Sequence, residues 1–161
     1  MIDNKPVVGI GVNAFVCLCN LQTLTISEGV RFFEGILTDE DDNLKQINLP
    51  STLSIGKISG SFITGCNGIS GYCPALEEDI FIAPGNPYLC KENGIIYDKN
   101  KTMVICSTPK TQLGSVVLPD TVNYIDDMAF NYNDTLTSIQ IPDKVTYIVI
   151  GLLIIVLICN M

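Results

Sequence analysis

Apolar positions recur along this chain at fixed spacings. Ile10 and Phe15 are followed by Leu21, Leu24, Ile26 and Val30, and the same intervals return in Ile125, Phe130, Leu136, Ile139, Ile141 and Val145. Leu21, Ile26 and Val30 reappear 23 residues on as Leu44, Leu49 and Leu53, and Leu118, Val122 and Ile125 reappear 23 on as Ile141, Val145 and Ile148. Within each Leu-x-x-Leu-x-Leu segment the last two apolar residues point one way, while Thr25, Asn48 and Gln140 point the other. That pattern predicts one short strand per unit with a single buried face. A unit of this length cannot close a core alone, so its apolar side chains leave water by stacking on the next unit. The predicted architecture is a β-rich repeat solenoid.

Two stretches depart from the period. Phe62 heads a unit whose leucine, Leu76, arrives fourteen residues later instead of six, and the glycine-rich "GCNGISGYCPA" reads as a loop inserted there. In "NPYLCKENGIIYDKNKTMVICSTP" the turn signals Asn86-Pro87 and Asn93-Gly94 precede "GIIYD" and "TMVICS", which read as a β-hairpin across "KNK". The prolines of "LPSTL", "LPDTV" and "IPDKV" suit strand ends, because proline cannot continue a hydrogen-bond ladder. The Ala-Phe segment predicts a short helical or turn-like arc opposite the strands, which stack in one sheet. Units are placed near 7–30, 31–53, 54–85 and 116–145, with a hairpin spacer over 86–109 and an apolar tail over 145–159.

Composition narrows the chemistry. A chain of 161 residues with 47% hydrophobic and 16% charged residues supports one domain with a core, plus appendages. With 17 acidic and 9 basic residues the net charge is −8, which repels nucleic acid phosphates and anionic headgroups. Histidine is absent, which removes the commonest general base and metal ligand. An enzyme would have to work with carboxylates, lysines, tyrosines or cysteines; no such cluster is legible, so no catalytic residue, cofactor or metal is assigned. The seven cysteines, at 17, 19, 66, 73, 90, 106 and 159, show no zinc-type spacing and read as free thiols, with Cys66 and Cys73 able to close one loop in a secreted protein.

The stretches "IGVNAFVCLCNLQTLTI" and "YIDDMAFNYNDTLTSIQIPDKVTYI" resemble the BspA-like leucine-rich repeat family, whose unit is similar to I-G-x-x-A-F-x-x-C-x-x-L-x-x-I-x-I-P-x-x-V. The hairpin segment also resembles a spacer found between such repeats, and together the likeness covers about residues 7–148. Thr38 departs from it where the second unit expects phenylalanine, and Leu18 and Asn133 stand where cysteine is usual. The resemblance implies a non-enzymatic binding module, at a cell surface for adhesion to matrix, host or neighbouring cells. The chain opens inside a unit, at "PVVGIGVNAF", as a fragment or truncated member of a longer array would.

Candidate sites follow from the repeat. The outward strand residues Thr23, Thr25, Gln46, Asn48, Ser138 and Gln140 form a polar face for a protein or surface ligand, or an ordinary solvated one. Asn100-Lys-Thr and Asn133-Asp-Thr fit the glycosylation sequon, which matters only in a secretory compartment. The run Asp39-Glu40-Asp41-Asp42-Asn43 lacks the alternation and glycine of a calcium loop and reads as a solvated turn.

No cleavable signal peptide is legible at the N-terminus. The apolar run Val145 to Cys159 spans about 22 Å as a helix at 1.5 Å per residue, short of a hydrocarbon core of roughly 30 Å. It reads as a membrane-inserted or membrane-targeting tail, with a lipid-anchor signal, a strand capping the solenoid, or a truncated frame as alternatives. A surface-displayed binding protein is the leading expectation; an intracellular interaction scaffold, which the missing signal and unpaired thiols favour, is the other.

Overall fold

The computed structural model describes residues 5–11, 13–34, 37–54, 76, 79–108, 112–126, 129–130, 133 and 135–148. Its strands, in chain order, are β1 (Gly9–Ile10), β2 (Phe15–Val16), β3 (Thr23–Thr25), β4 (Phe32–Phe33), β5 (Thr38–Asp39), β6 (Gln46–Leu49) and β7 (Asp79–Ile82). There follow β8 (Leu89–Glu92), β9 (Ile95–Asp98), β10 (Met103–Ser107), β11 (Gly114–Val117), β12 (Tyr124–Ile125), β13 (Leu136–Gln140) and β14 (Tyr147–Ile148). The chain winds as a β-solenoid, and the repeat in the sequence is its register. Thr23, Leu24 and Thr25 of β3 face Gln46, Ile47 and Asn48 of β6 in parallel, each 23 residues on. The same step joins β1 to β4, β2 to β5, β12 to β14 and the body of β11 to β13.

Each of the first two coils therefore has three short strand sites with turns between them. The Leu-x-x-Leu-x-Ile strands bury one face: Leu24, Ile47, Leu49 and Ile80 are all 6% exposed or less. The Ala-Phe arc resolves into a two-residue strand in the first pair of coils and a turn at Ala129–Phe130, with no helix among the described residues. Phe130 is buried, as expected of that position, and Thr38 fills the corresponding place in the second coil, fully buried. The "LPS" turn is tied to the coil below by Glu28, whose carboxylate accepts from the Ser51 amide at 2.8 Å and its hydroxyl at 2.9 Å. These bonds hold the Glu28 carboxyl below its usual pKa. Thr52 adds a second tie, its Oγ accepting from the Gly29 amide at 2.9 Å and donating to the Val30 carbonyl at 2.8 Å.

The Leu-x-x-Leu-x-Ile strands run as two sheets, β3-β6-β7 and β11-β13, rather than one continuous sheet. The reason is the segment between them. The expected hairpin β9–β10 is present, but β8 also pairs with β9, so the spacer is a three-stranded antiparallel meander. Asn93 and Gly94 both adopt positive φ, 49° and 75°, as a tight two-residue hairpin turn needs. Asp98 closes the second turn by accepting from the Thr102 and Met103 amides, each at 2.6 Å. β10 then pairs in parallel with β12, so the meander belongs to the ladder β8-β9-β10-β12-β14.

The meander is buried on both faces. Leu89, Ile96, Ile105 and Cys106 pack with Leu24, Ile47 and Ile80 of the N-terminal coils, whereas Ile95, Tyr97 and Val104 pack with Val122, Ile125 and Phe130 of the C-terminal coils. A bulge between Val104 and Cys106 lets Ile105 and Cys106 turn to the same side. Asn86 locks the entry to β8: its Nδ2 donates to the Pro50 and Leu53 carbonyls, both at 3.0 Å, and its Oδ1 accepts from the Tyr88 and Leu89 amides at 2.8 and 2.9 Å.

Where the sequence reading starts the apolar run, Val145 packs on the second core and β14 pairs with β12. The acidic run is not wholly a solvated turn: Asp41 is fully buried and its Oδ1 accepts from the Leu18 amide at 2.5 Å. It occupies the coil position where the family motif has cysteine. The inserted loop with Phe62, Cys66 and Cys73, and the tail beyond Ile148, lie outside the described residues. No helix among the described residues is long and apolar enough to cross a membrane.

Candidate binding surface

The side chains that alternate away from the core line the outer faces of the two parallel sheets. Thr23 and Thr25 are exposed; Gln46 and Asn48, in the middle strand, are half-buried. They form a bonded row across the coils: Gln46 Nε2 donates to Asn48 Oδ1 at 2.8 Å, and Asn48 Nδ2 donates to Thr25 Oγ1 at 3.0 Å. The row costs the amides their rotamer freedom before any ligand arrives, which leaves less ordering to be lost on binding. Phe81 of β7 stands next to Asn48 in the same register and is 49% exposed.

Ser138 and Gln140 lie on the other sheet, both exposed, so the six residues do not form one patch of a single sheet. Ser138 bonds Ser115 through their hydroxyls, and Gln140 faces Val117, which at 70% is the most exposed large apolar side chain among the described residues. Phe81, Ser115 and Val117 complete the two faces and were not singled out by sequence reasoning. Alternation within "GSVVLP" places Ser115 and Val117 outward; for Phe81 the signal was hidden, because the inserted loop obscured which residues of "EEDIFI" align with the strand.

Of the sequon asparagines, Asn100 is exposed in the turn after β9, whereas Asn133 is 1% exposed. Asn133 Oδ1 accepts from the Thr135 hydroxyl at 2.7 Å, and its Nδ2 donates to the Thr108 carbonyl at 3.5 Å. The amide nitrogen that a glycan would need is thus turned inward. Cys17, Cys19 and Cys90 are free thiols, and Cys106 is buried in the core. Cys17 donates to Glu40 at 3.2 Å, and that bond, with the nearby carboxylate charge, pushes its thiol pKa up. Burial pushes Cys90 up as well. No group of three carboxylates or thiols among the described residues is placed to hold a metal.

The geometry offers flat polar sheet faces edged by single apolar residues. A scan against protein-family models matches the BspA type leucine-rich repeat region over residues 2–74 and 107–151, in six copies. The unmatched 75–106 contain the meander up to Cys106. No curated protein matches the chain. Among solved structures it is similar to a leucine-rich repeat protein from Eubacterium ventriosum, at 18% identity and a TM-score of 0.53, covering 89% of this chain and 48% of that one. The chain therefore spans about half the length of that neighbour. A further match, at 12% identity and a TM-score of 0.48, is the pneumococcal vaccine antigen PcpA, covering 85% of this chain and 34% of that one. The family match over both halves of the chain, and coils that step by 23 residues in parallel register, make this protein a member of the BspA-type leucine-rich repeat family.

Proposed function

We propose that this chain is a non-enzymatic binding module that recognises a protein or matrix ligand through the outer faces of its parallel sheets, displayed at a cell surface. The observation that carries the reading is the cross-coil row Gln46–Asn48–Thr25 with exposed Phe81 at its edge. A fixed polar lattice with one aromatic anchor suits a flat protein partner, and aromatic residues are enriched at such contacts. Surface display, with the apolar residues after Ile148 as the attachment, extends this reading from sequence. Protease shaving of intact cells tests display, and adhesion of beads carrying the full-length chain tests binding. Beads carrying Asn48→Arg/Phe81→Ser lose adhesion if the outer face is the contact; unchanged adhesion overturns that choice.

A second reading, an intracellular interaction scaffold, is favoured by one observation: Cys17, Cys19 and Cys90 carry free thiols. Free thiols at these positions suit a reducing compartment. Protection of the chain from protease in intact cells supports the scaffold and sinks surface display.

A further inference from the structure

Cys17 and Cys19 stand on the turn that follows β2, both exposed and both free thiols. Leu18 holds the position where the repeat motif has its cysteine, so the two thiols flank that place. The backbone between them is pinned at three points. The Leu18 amide donates to Asp41 Oδ1 at 2.5 Å, the Leu18 carbonyl accepts from the Leu21 amide at 2.8 Å, and the Cys19 carbonyl accepts from Asn43 Nδ2 at 2.6 Å. Cys17 is held at φ 60°, a left-handed conformation that costs a non-glycine residue energy, and Glu40, one 23-residue step on, repeats it at 54°.

The two sulfurs have different neighbours on this turn. Cys19 Sγ lies 3.7 Å from the Cys17 carbonyl oxygen, whereas the Cys17 thiol donates to Glu40 Oε2 at 3.2 Å. The bond to Glu40, with the carboxylate charge beside it, raises the Cys17 pKa and keeps that thiol protonated. Cys19, whose sulfur is exposed and bound to no carboxylate among the described residues, is the thiol that an incoming reagent meets first. Glu40 and Asp41 place negative charge beside the pair, which attracts a cationic co-reactant and repels an anionic one.

We propose that Cys17 and Cys19 form a thiol–disulfide exchange site whose co-reactants are disulfides carried on cationic groups. Cys19, as its thiolate, attacks one sulfur of the incoming disulfide; that S–S bond breaks, a mixed disulfide forms on Cys19, and the first thiolate leaves and takes up a proton. Cys17 then loses its proton, attacks the Cys19 sulfur and expels the second thiolate. The two thiols of the chain are thereby oxidised to one disulfide, and the co-reactant is reduced to two thiols. A ring closed across a single residue on a pinned backbone is strained, so this disulfide reopens readily to a reducing thiol. The site lies apart from the polar sheet faces and does not depend on what they bind.

The full-length chain treated with cystamine, followed by mass spectrometry of the peptide that carries both cysteines, tests it. A transient cysteamine adduct is expected, then loss of two hydrogens within that peptide. Cys17→Ser stops at a stable adduct on Cys19, and Cys19→Ser slows the first step several-fold. Glu40→Gln shortens the life of the adduct, because Cys17 then attacks sooner. Oxidised glutathione, which is anionic, reacts several-fold more slowly than cystamine, and added salt narrows the gap. A lasting adduct on the unsubstituted chain, a disulfide from either residue to another cysteine or a second chain, or equal rates for the two reagents at low salt overturns the proposal. Should Cys17→Ser fail to fold by circular dichroism, Cys19→Ser and Glu40→Gln decide.

Discussion

At the scale of single residues, the polar side chains that matter most are those the coils turned inward. Asn86 is 2% exposed and satisfies four backbone groups, so Asn86→Ala leaves two carbonyls and two amides without their partner, all but the Tyr88 amide buried. A loss of about 2–4 kcal/mol is expected, read as a lower urea midpoint at unchanged slope. Asn86→Asp, which keeps the acceptor and loses the donor, is expected to restore only part of it. Cys17 offers a second test without a stability argument. Its thiol pKa is raised chiefly by the hydrogen bond to Glu40, so Glu40→Gln is expected to speed its alkylation at mildly alkaline pH, by mass spectrometry of the labelled peptide. An unchanged rate would mean the carboxylate does not govern that thiol. The residue scale is where the sequence was least legible. Asn86-Pro87 reads as a turn signal and is one, yet its bonds reach back to Pro50 and Leu53, more than thirty residues away, which no local pattern encodes. Asp41 was hidden for the opposite reason: neighbours of like charge made a buried acceptor look like part of a solvated run.

At the scale of elements, the meander is the wall between two cores. Because Ile96 faces the N-terminal coils and Ile95 the C-terminal ones, damage to either face weakens a partition that both need. Ile96 is fully buried, and Ile96→Ala is expected to cost about 2–5 kcal/mol in urea denaturation. Unfolding should stay a single transition followed at either core; two separated transitions would show that the wall does not couple them. Tyr97, on the opposite face, supplies a pH test. Burial pushes its phenol from an ordinary 10 up to about 12, so the folded state favours the neutral ring. The stabilisation from that neutral ring is complete below pH 10 and is lost as pH rises toward 12, about 2–3 kcal/mol in all. Tyr97→Phe is expected to flatten the alkaline fall in urea midpoint by that amount; an equally steep fall in the variant would assign it to other groups. The hairpin β9–β10 was legible because apolar runs on both sides of a polar Lys99-Asn100-Lys101 turn are a local signal. β8 was not, since "LCKE" shows the mixed burial of an edge strand and gains its partner only when β9 folds back on it.

At the scale of the whole molecule, the period in the sequence and the register in space are one quantity, and that makes the coils exchangeable. Residues 24–46 span one step of the β3–β6 ladder, because Leu24 faces Ile47 and Thr23 faces Gln46. Their removal joins Thr23 to Ile47 and sets Ile47, Asn48 and Leu49 where Leu24, Thr25 and Ile26 stood. Inward and outward faces are preserved, and Phe81 and the meander keep the coil beneath them. The shortened chain is expected to fold, with the far-ultraviolet spectrum of a β protein, a smaller urea slope in proportion to the surface removed, and lower stability from the loss of one stacking interface. Removing one residue fewer, 24–45, joins Thr23 to Gln46 and shifts every later residue of the strand by one. Because side chains alternate with a period of two, Ile47 and Leu49 then turn to solvent and Gln46 and Asn48 turn into the core. That chain is expected not to fold, since two polar amides enter an apolar stack while two large aliphatic side chains leave it. If both deletions fold equally well, the 23-residue step is a spacing of loops and not the register of the solenoid; if neither folds, the coils are not interchangeable, and the first coil holds contacts that the repeat alone does not specify.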